Sequence, residues 1–199
     1  MSLARVRLAL WIALGLFAAV VVVLLWRQSE PQPSVTQSSL GTIGGPFTLV
    51  GTDGKPFASS RLNGKPAAVF FGFTHCPDVC PTTLARLSKL RRDLGKGDDA
   101  LSIVFISVDP ERDTPAEVGT YLKLFDTPVV GLTGTTAQID QVKKQFGVYS
   151  RKVDQPSGGY SVDHTATVML LDGDGKFVAT LSPEEGNAVA LDKIRRVVA

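Results

Sequence analysis

An α/β fold, preceded by a transmembrane helix, is what the sequence predicts, and three observations carry it. The continuous apolar run Ala67–Phe73 suits a strand covered on both faces. It is followed by a helical repeat of leucines and by a second buried run, Leu101–Val108, which together make a β-α-β unit. Such a crossover is right-handed and makes its two strands parallel. Finally, two apolar segments, Ala166–Leu171 and Lys176–Ser182, flank the turn sequence Asp172-Gly-Asp-Gly175 and read as a hairpin.

Residues 8 to 26, Leu8 through Trp26, carry no charge. At 1.5 Å per residue they form a helix of about 28 Å, close to the hydrocarbon thickness of a bilayer. A secretory signal peptide has a shorter apolar core and a small-residue cleavage site, and no A-x-A follows Trp26, so the segment reads as an uncleaved anchor. Arg5 and Arg7 precede it and Trp11 and Trp26 lie near its ends, which keeps residues 1–7 cytoplasmic and puts the remainder in the periplasm of a cytoplasmic (inner) membrane. Residues 27–41, with Pro31, Pro33 and four serines, have little to bury and read as a linker. Residues 42–199 form the remaining domain.

Within that domain, Phe47–Val50 and the following GTDGKPF turn suggest a short hairpin. Residues 82–94 place Leu84, Leu87, Leu90 and Leu94 on one helical face. Thr114 as N-cap and Pro115 at the first helical position open a helix to Phe125; a strand at Val129–Leu132 and a helix at Ala137–Phe146, closed by Gly147, follow. The amphipathic segment Ala188–Val198 ends the chain as a helix. A parallel pair, an antiparallel hairpin and a last helix, with two cysteines directly after the first central strand, is the layout of a thioredoxin-like fold.

Charge excludes one class of partner. The net charge is +2, but Arg5, Arg7 and Arg27 precede residue 28 and no acid does, so the rest of the chain sums to −1. Without a basic cluster to release counterions from phosphates, nucleic acid is not a partner.

The chemistry is concentrated in a short list: two cysteines and two histidines. Cys76 and Cys80 stand at a strand-to-helix junction. Pro81 fits a first helical turn and biases Cys80 away from helical dihedrals, which puts Cys80 near the N-cap, where unpaired amides lower a thiol's pKa while the Asp78 carboxylate opposes them. A plain disulfide is open to such a pair in an exported domain. A loop that short removes little unfolded-state entropy, however, so redox or metal chemistry fits the pair better. His75 is adjacent to Cys76 and points to the other side, which makes it a poor co-ligand. His164 has Asp163 beside it to orient the ring, and its nearness to the cysteines depends on the fold. Two thiolates and an imidazole suit Cu(I), accept Cu(II) with a further ligand, and could hold zinc, although a structural zinc site wants four protein donors. The turn at Asp172 is no calcium loop, because its twelfth position is Pro183.

The stretch FTHCPDVCPTTL resembles the Sco/SenC family of membrane-anchored copper proteins, and SVDPERDTP (Ser107–Pro115) and YSVDHTATVMLLD (Tyr160–Asp172) match its other signatures in order and spacing. The resemblance covers about residues 40–198. It implies a thioredoxin-like copper-binding domain in which Cys76, Cys80 and His164 bind one copper ion, Cu(I) or Cu(II). Asp78, Asp109 and Asp163 are candidates to support those ligands, with Asp113 in the same signature as Asp109; both could also attract a basic patch on a partner, or be turn residues alone. The family is associated with assembly of the binuclear copper centre of cytochrome c oxidase. The implied function is a chaperone, not an enzyme in the usual sense, that delivers copper to the copper-receiving subunit or reduces that subunit's cysteines, with another periplasmic copper chaperone or a thiol reductant as further partners. A periplasmic thiol-disulfide reductase and a copper sensor are the alternatives. Against the reductase, thioredoxin-like reductases carry C-x-x-C and a proline before the facing strand, where this chain has C-x-x-x-C and Asp163-His164-Thr165.

Overall fold

The computed structural model describes residues 43–156 and 158–199, together with Arg7. The anchor at 8–26 and the linker at 27–41 lie outside the described residues. Among the described residues no helix is long and apolar enough to cross a membrane.

The apolar run predicted to be central is central. Strand β3 (Ala67–Gly72) is buried at all six positions. It pairs in parallel with β4 (Ser102–Ser107) from Ala67↔Ser102 to Gly72↔Ser107, and antiparallel with β8 (Val168–Leu171). Strand β5 (Val130–Thr133) extends the parallel set. Two short strands, β1 (Thr48–Gly51) and β2 (Pro56–Ala58), and the outer β9 (Phe177–Leu181) complete a seven-stranded sheet in the order β2-β1-β5-β4-β3-β8-β9. Both faces of its middle are covered, which is why β3 and β4 need no polar alternation. The predicted hairpin is β8–β9, and Asp172 closes its turn by accepting from the Asp174 and Lys176 amides at 3.0 and 2.9 Å.

Helix α1 (Val79–Leu94) buries Leu84, Leu87 and Leu90 and ends at Gly95, whose φ of 69° suits a left-handed C-cap. It starts three residues earlier than its leucine pattern suggests. Pro81 is tolerated because the first turn has no intrahelical acceptors for its amides, so a missing N–H costs nothing there. Cys80 therefore lies near the N-cap, as expected, but inside the first helical turn and not in the non-helical backbone that Pro81 suggests. The cap is Asp78, with no side-chain capping bond.

Helix α2 (Pro115–Leu122) opens as expected, with Thr114 accepting from the Glu117 amide, and stops short of Phe125. Helix α3 (Thr136–Phe146) has a full capping box between Thr135 and Gln138 and closes at Gly147. The chain ends with α4 (Asn187–Val197). The mixed sheet with this helix order is the thioredoxin-like layout.

One element has no counterpart in the expectations. Strands β6 (Ser150–Asp154) and β7 (Tyr160–His164) form a separate antiparallel ribbon, with register from Ser150↔His164 to Asp154↔Tyr160. Only Val162 of the ribbon is buried, so no apolar run marks it. His164 thus stands just before β8, as expected, but as the last residue of a strand of this ribbon.

Candidate metal centre

The two halves of the site come from segments far apart in the chain, FTHCPDVCPTTL and YSVDHTATVMLLD. Cys76 lies in the loop after β3, and Cys80 in the first turn of α1. His164 arrives from the ribbon. The ligand atoms of these three residues all lie within 4.8 Å of one another, and they form the one cluster of His, Cys, Asp or Glu groups of this kind among the described residues. Cys80 Sγ stands 3.4 Å from His164 Nε2.

The two thiols are free and differ in setting. Cys80 has no exposed surface, whereas Cys76 is half-buried and opens on a groove of about 210 Å³ lined by Phe73, Pro77, Val79 and Ala166. The first-turn amides serve Cys76, not Cys80: the Cys80 N–H donates to Cys76 Sγ at 3.4 Å. Cys76 is held well below the ordinary thiol range, chiefly by the Cys80 thiol donating to it and further by the His164 ring and the Cys80 and Asp78 amides, against its partial burial. Cys80 is pushed up, because it holds the shared proton and is buried. The expectation that Cys80 is the activated thiol is thus reversed, for the same reason that moved the helix start. Once Cys80 is inside the turn, its own amide points back at residue 76.

Room for the Cys80 sulfur comes from Gly72. A Cβ at that position would lie 2.9 Å from Cys80 Sγ and 2.8 Å from the Phe105 ring. An isolated glycine in an apolar strand signals a close approach of this sort, and Gly72 could have been found that way.

The imidazole of His164 packs edge-on against Phe70 and Phe73, with ring centroids 6.1 and 5.7 Å away. Its Nδ1 lies 3.0 Å from the Thr165 carbonyl oxygen. A carbonyl only accepts, so Nδ1 carries the proton and Nε2 presents its lone pair towards Cys80. Orientation by a backbone carbonyl takes the place expected for Asp163. The Asp163 carboxylate is exposed and pairs with Arg151 at 3.3 Å across the ribbon.

Asp78 is exposed too, where it accepts from Thr82 Oγ1 at 3.3 Å. His75 stands outside the cluster, with Nδ1 3.0 Å from Thr74 Oγ1 and 3.7 Å from an Asp113 oxygen. Asp109 and Asp113 are both buried, and neither carboxylate belongs to the donor cluster. Asp113 bonds Thr74, and Asp109 bonds Arg112 and Tyr160.

The donor set fits a soft, thiophilic metal of low coordination number. Two sulfurs and one neutral nitrogen already converge, one sulfur is disposed to ionise, and the nitrogen's tautomer is correct for ligation.

Likeness to known proteins points the same way. The SCO1/SenC family model matches residues 35–199. The chain is 36% identical over 138 residues to the SCO2-like protein of Rickettsia felis, covering 68% of this chain and 67% of that protein. It is 39% identical over 159 residues to the mitochondrial protein SCO2 of Saccharomyces cerevisiae, covering 78% of this chain and 53% of that longer protein, about half its length. The structure of Bradyrhizobium japonicum ScoI with copper bound superimposes with a TM-score of 0.71 at 45% identity, covering 78% of this chain and 99% of that one. By motif, fold and extent of match, the chain belongs to the SCO1/SenC family.

Proposed function

We propose that the protein is a membrane-anchored copper chaperone in which Cys76, Cys80 and His164 hold one copper ion for the binuclear copper centre of cytochrome c oxidase. The observation that carries this reading is the convergence of two thiols and an Nε2 lone pair within 4.8 Å. Copper is the cargo. Paired thiolates satisfy Cu(I), and the imidazole adds the harder donor that Cu(II) needs, so the same three residues can keep either oxidation state. The half-exposed Cys76, at the open side of the site, is the ligand an acceptor thiolate can reach first, while the buried Cys80 retains the metal until exchange is complete.

The exposure difference also supports a second role, preparation of the client's cysteines. The Cys76 thiolate attacks a client disulfide and forms a mixed disulfide, displacing one client thiolate. Cys80 then gives up its proton and attacks Cys76 Sγ, which releases the second client thiolate and leaves a Cys76–Cys80 disulfide. One client disulfide is reduced and one dithiol of the chaperone is oxidised.

The charge-free run at residues 8–26, read as an uncleaved anchor, supports a position of the domain at the periplasmic face of the inner membrane. The test is titration of the full chain, in detergent and in its dithiol form, with Cu(I) and Cu(II). One copper per chain, lost in Cys76→Ser and lost for Cu(II) in His164→Ala, is the expected result. Absence of stoichiometric binding, together with rapid reduction of a test disulfide, would move the function to the thiol reductase.

A further inference from the structure

Asp109 and Asp113 are 1% and 0% exposed, so each carboxylate has exchanged water for protein partners. Those partners divide cleanly. Asp113 Oδ2 accepts from the Thr74 amide at 3.0 Å, and Oδ1 from Thr74 Oγ1 at 2.6 Å. Thr74 is two residues from Cys76. Asp109 Oδ1 accepts from the Tyr160 hydroxyl at 2.8 Å, and Oδ2 from Arg112 Nε at 2.5 Å. Arg112 in turn donates to the Tyr160 carbonyl at 2.9 Å and lies 3.8 Å over the Tyr160 ring. Tyr160 is at the far end of β7 from His164. Ser107 ties the Asp113 carboxylate to the Asp109 backbone: its hydroxyl donates to Asp113 Oδ2 at 2.6 Å and accepts from the Asp109 amide at 3.0 Å.

We propose that Asp109 and Asp113 are positioning residues that divide the site between them, Asp113 setting the cysteine arm through Thr74 and Asp109 the histidine arm through Tyr160. Cys80 is fixed by packing against β3, whereas the ribbon carrying His164 is a separate sheet joined to β8 through residues 165–167, so the hydrogen bonds of the 109–113 loop steady the ribbon's side of the span between sulfur and imidazole. Burial rules out the other role open to these acids, attraction of a basic partner, because neither carboxylate reaches the surface. The proposal rests on the reading that the three donors hold copper, while the frame itself belongs to the metal-free protein.

Two variants that each remove one hydroxyl, Thr74→Val and Tyr160→Phe, test it in the full chain in detergent. Three quantities are read: the Cys76–Cys80 dithiol–disulfide equilibrium against glutathione, amide hydrogen exchange across residues 160–165, and Cu(II) affinity from the thiolate-to-copper absorption band. Thr74→Val is expected to shift the dithiol–disulfide constant about three- to tenfold, the value of one hydrogen bond, and to leave exchange at 160–165 as in the parent. Thr74→Ser restores the parent constant. Tyr160→Phe is expected to speed exchange at 160–165 and to weaken Cu(II) binding about tenfold, as loss of a ligand's support does, with the dithiol–disulfide constant unchanged. If both variants move all readouts alike, or move none while lowering Tm, the acids are general stabilisers and the division of labour is wrong. If the metal-free readouts separate as stated but the parent takes up no Cu(II), the frame stands and the copper reading falls.

Discussion

The cysteine arm and the histidine arm of this site are built by opposite means. Cys80 sits fully buried in the first turn of α1, against β3, and its sulfur fills the space left by Gly72. His164 ends a polar two-stranded ribbon with one buried residue, held to the rest by side-chain bonds and by the edges of Phe70 and Phe73. Packing fixes Cys80, with the hydrogen bonds from Thr74 to Asp113 holding the loop before it, whereas the ribbon depends mainly on hydrogen bonds. For the proposed copper carrier this asymmetry would matter, because the imidazole's contribution could be altered without disturbing the buried Cys80.

The sharpest way to break the comparison is to remove a sulfur. Cys80→Ser should lower copper affinity more than about a hundredfold, beyond the range reached by removing groups that only support a ligand, in both oxidation states. Competition against a chelator of known affinity reads this directly. His164→Ala should weaken Cu(II) strongly and Cu(I) far less, while the Cys76–Cys80 disulfide still forms under oxidant; equal losses for both ions would make the arms equivalent. Gly72→Ala probes the packed arm without touching a ligand. The added methyl meets Cys80 Sγ and Phe105, so overpacking should cost about 1–3 kcal/mol in denaturant unfolding and degrade Cu(I) binding as well.

Acidity sharpens the same contrast between the thiols. Cys76 has a lowered pKa in the folded protein, so at neutral pH and for some way below it Cys76 is a thiolate, and its alkylation by iodoacetamide should stay nearly flat as pH falls from 9 through 7. Cys80 is shifted up, and its alkylation should be slow throughout that range and rise only in alkali. Mass mapping of the alkylated peptides separates the two, and a pH profile in which both rise together near 9 would remove the asymmetry. The smallest effect is expected at Asp163→Ala. Its ion pair with Arg151 is solvent-exposed on both sides, and such pairs contribute about 0–1 kcal/mol, so stability and copper binding should stay close to the parent.

The packed arm is also the one that was legible in the sequence. Ala67–Phe73 and Leu101–Val108 announce buried parallel strands because both of their faces meet helices, and Gly147 and Thr114 mark their helix ends through local backbone chemistry. The polar ribbon was not legible. Its residues are mostly exposed, so no apolar periodicity could show it, although Pro156, Gly158 and Gly159 between its strands are a turn signal, with φ of 88° and 77° at the two glycines. For the site, the cysteines stood out by their position after β3, but the role of His164 came with the family resemblance, because bringing residue 164 beside residue 80 is a long-range contact that no local pattern encodes. The reversal of the thiols has a local cause: α1 begins at Val79, so Cys80 lies inside the first turn and its amide points at Cys76. Asp109 and Asp113 look like turn residues in the sequence, and only their burial separates them from ordinary turn chemistry.

In the proposed site one copper is held jointly by both arms. X-ray absorption of the Cu(II)-loaded full chain tests it most directly, because sulfur and imidazole scatter distinguishably in the first coordination sphere. The account predicts two sulfur scatterers and an imidazole for the parent, with the imidazole signature lost in His164→Ala and one sulfur lost in Cys76→Ser. A copper environment of nitrogen and oxygen alone, or one unchanged by His164→Ala, would contradict it.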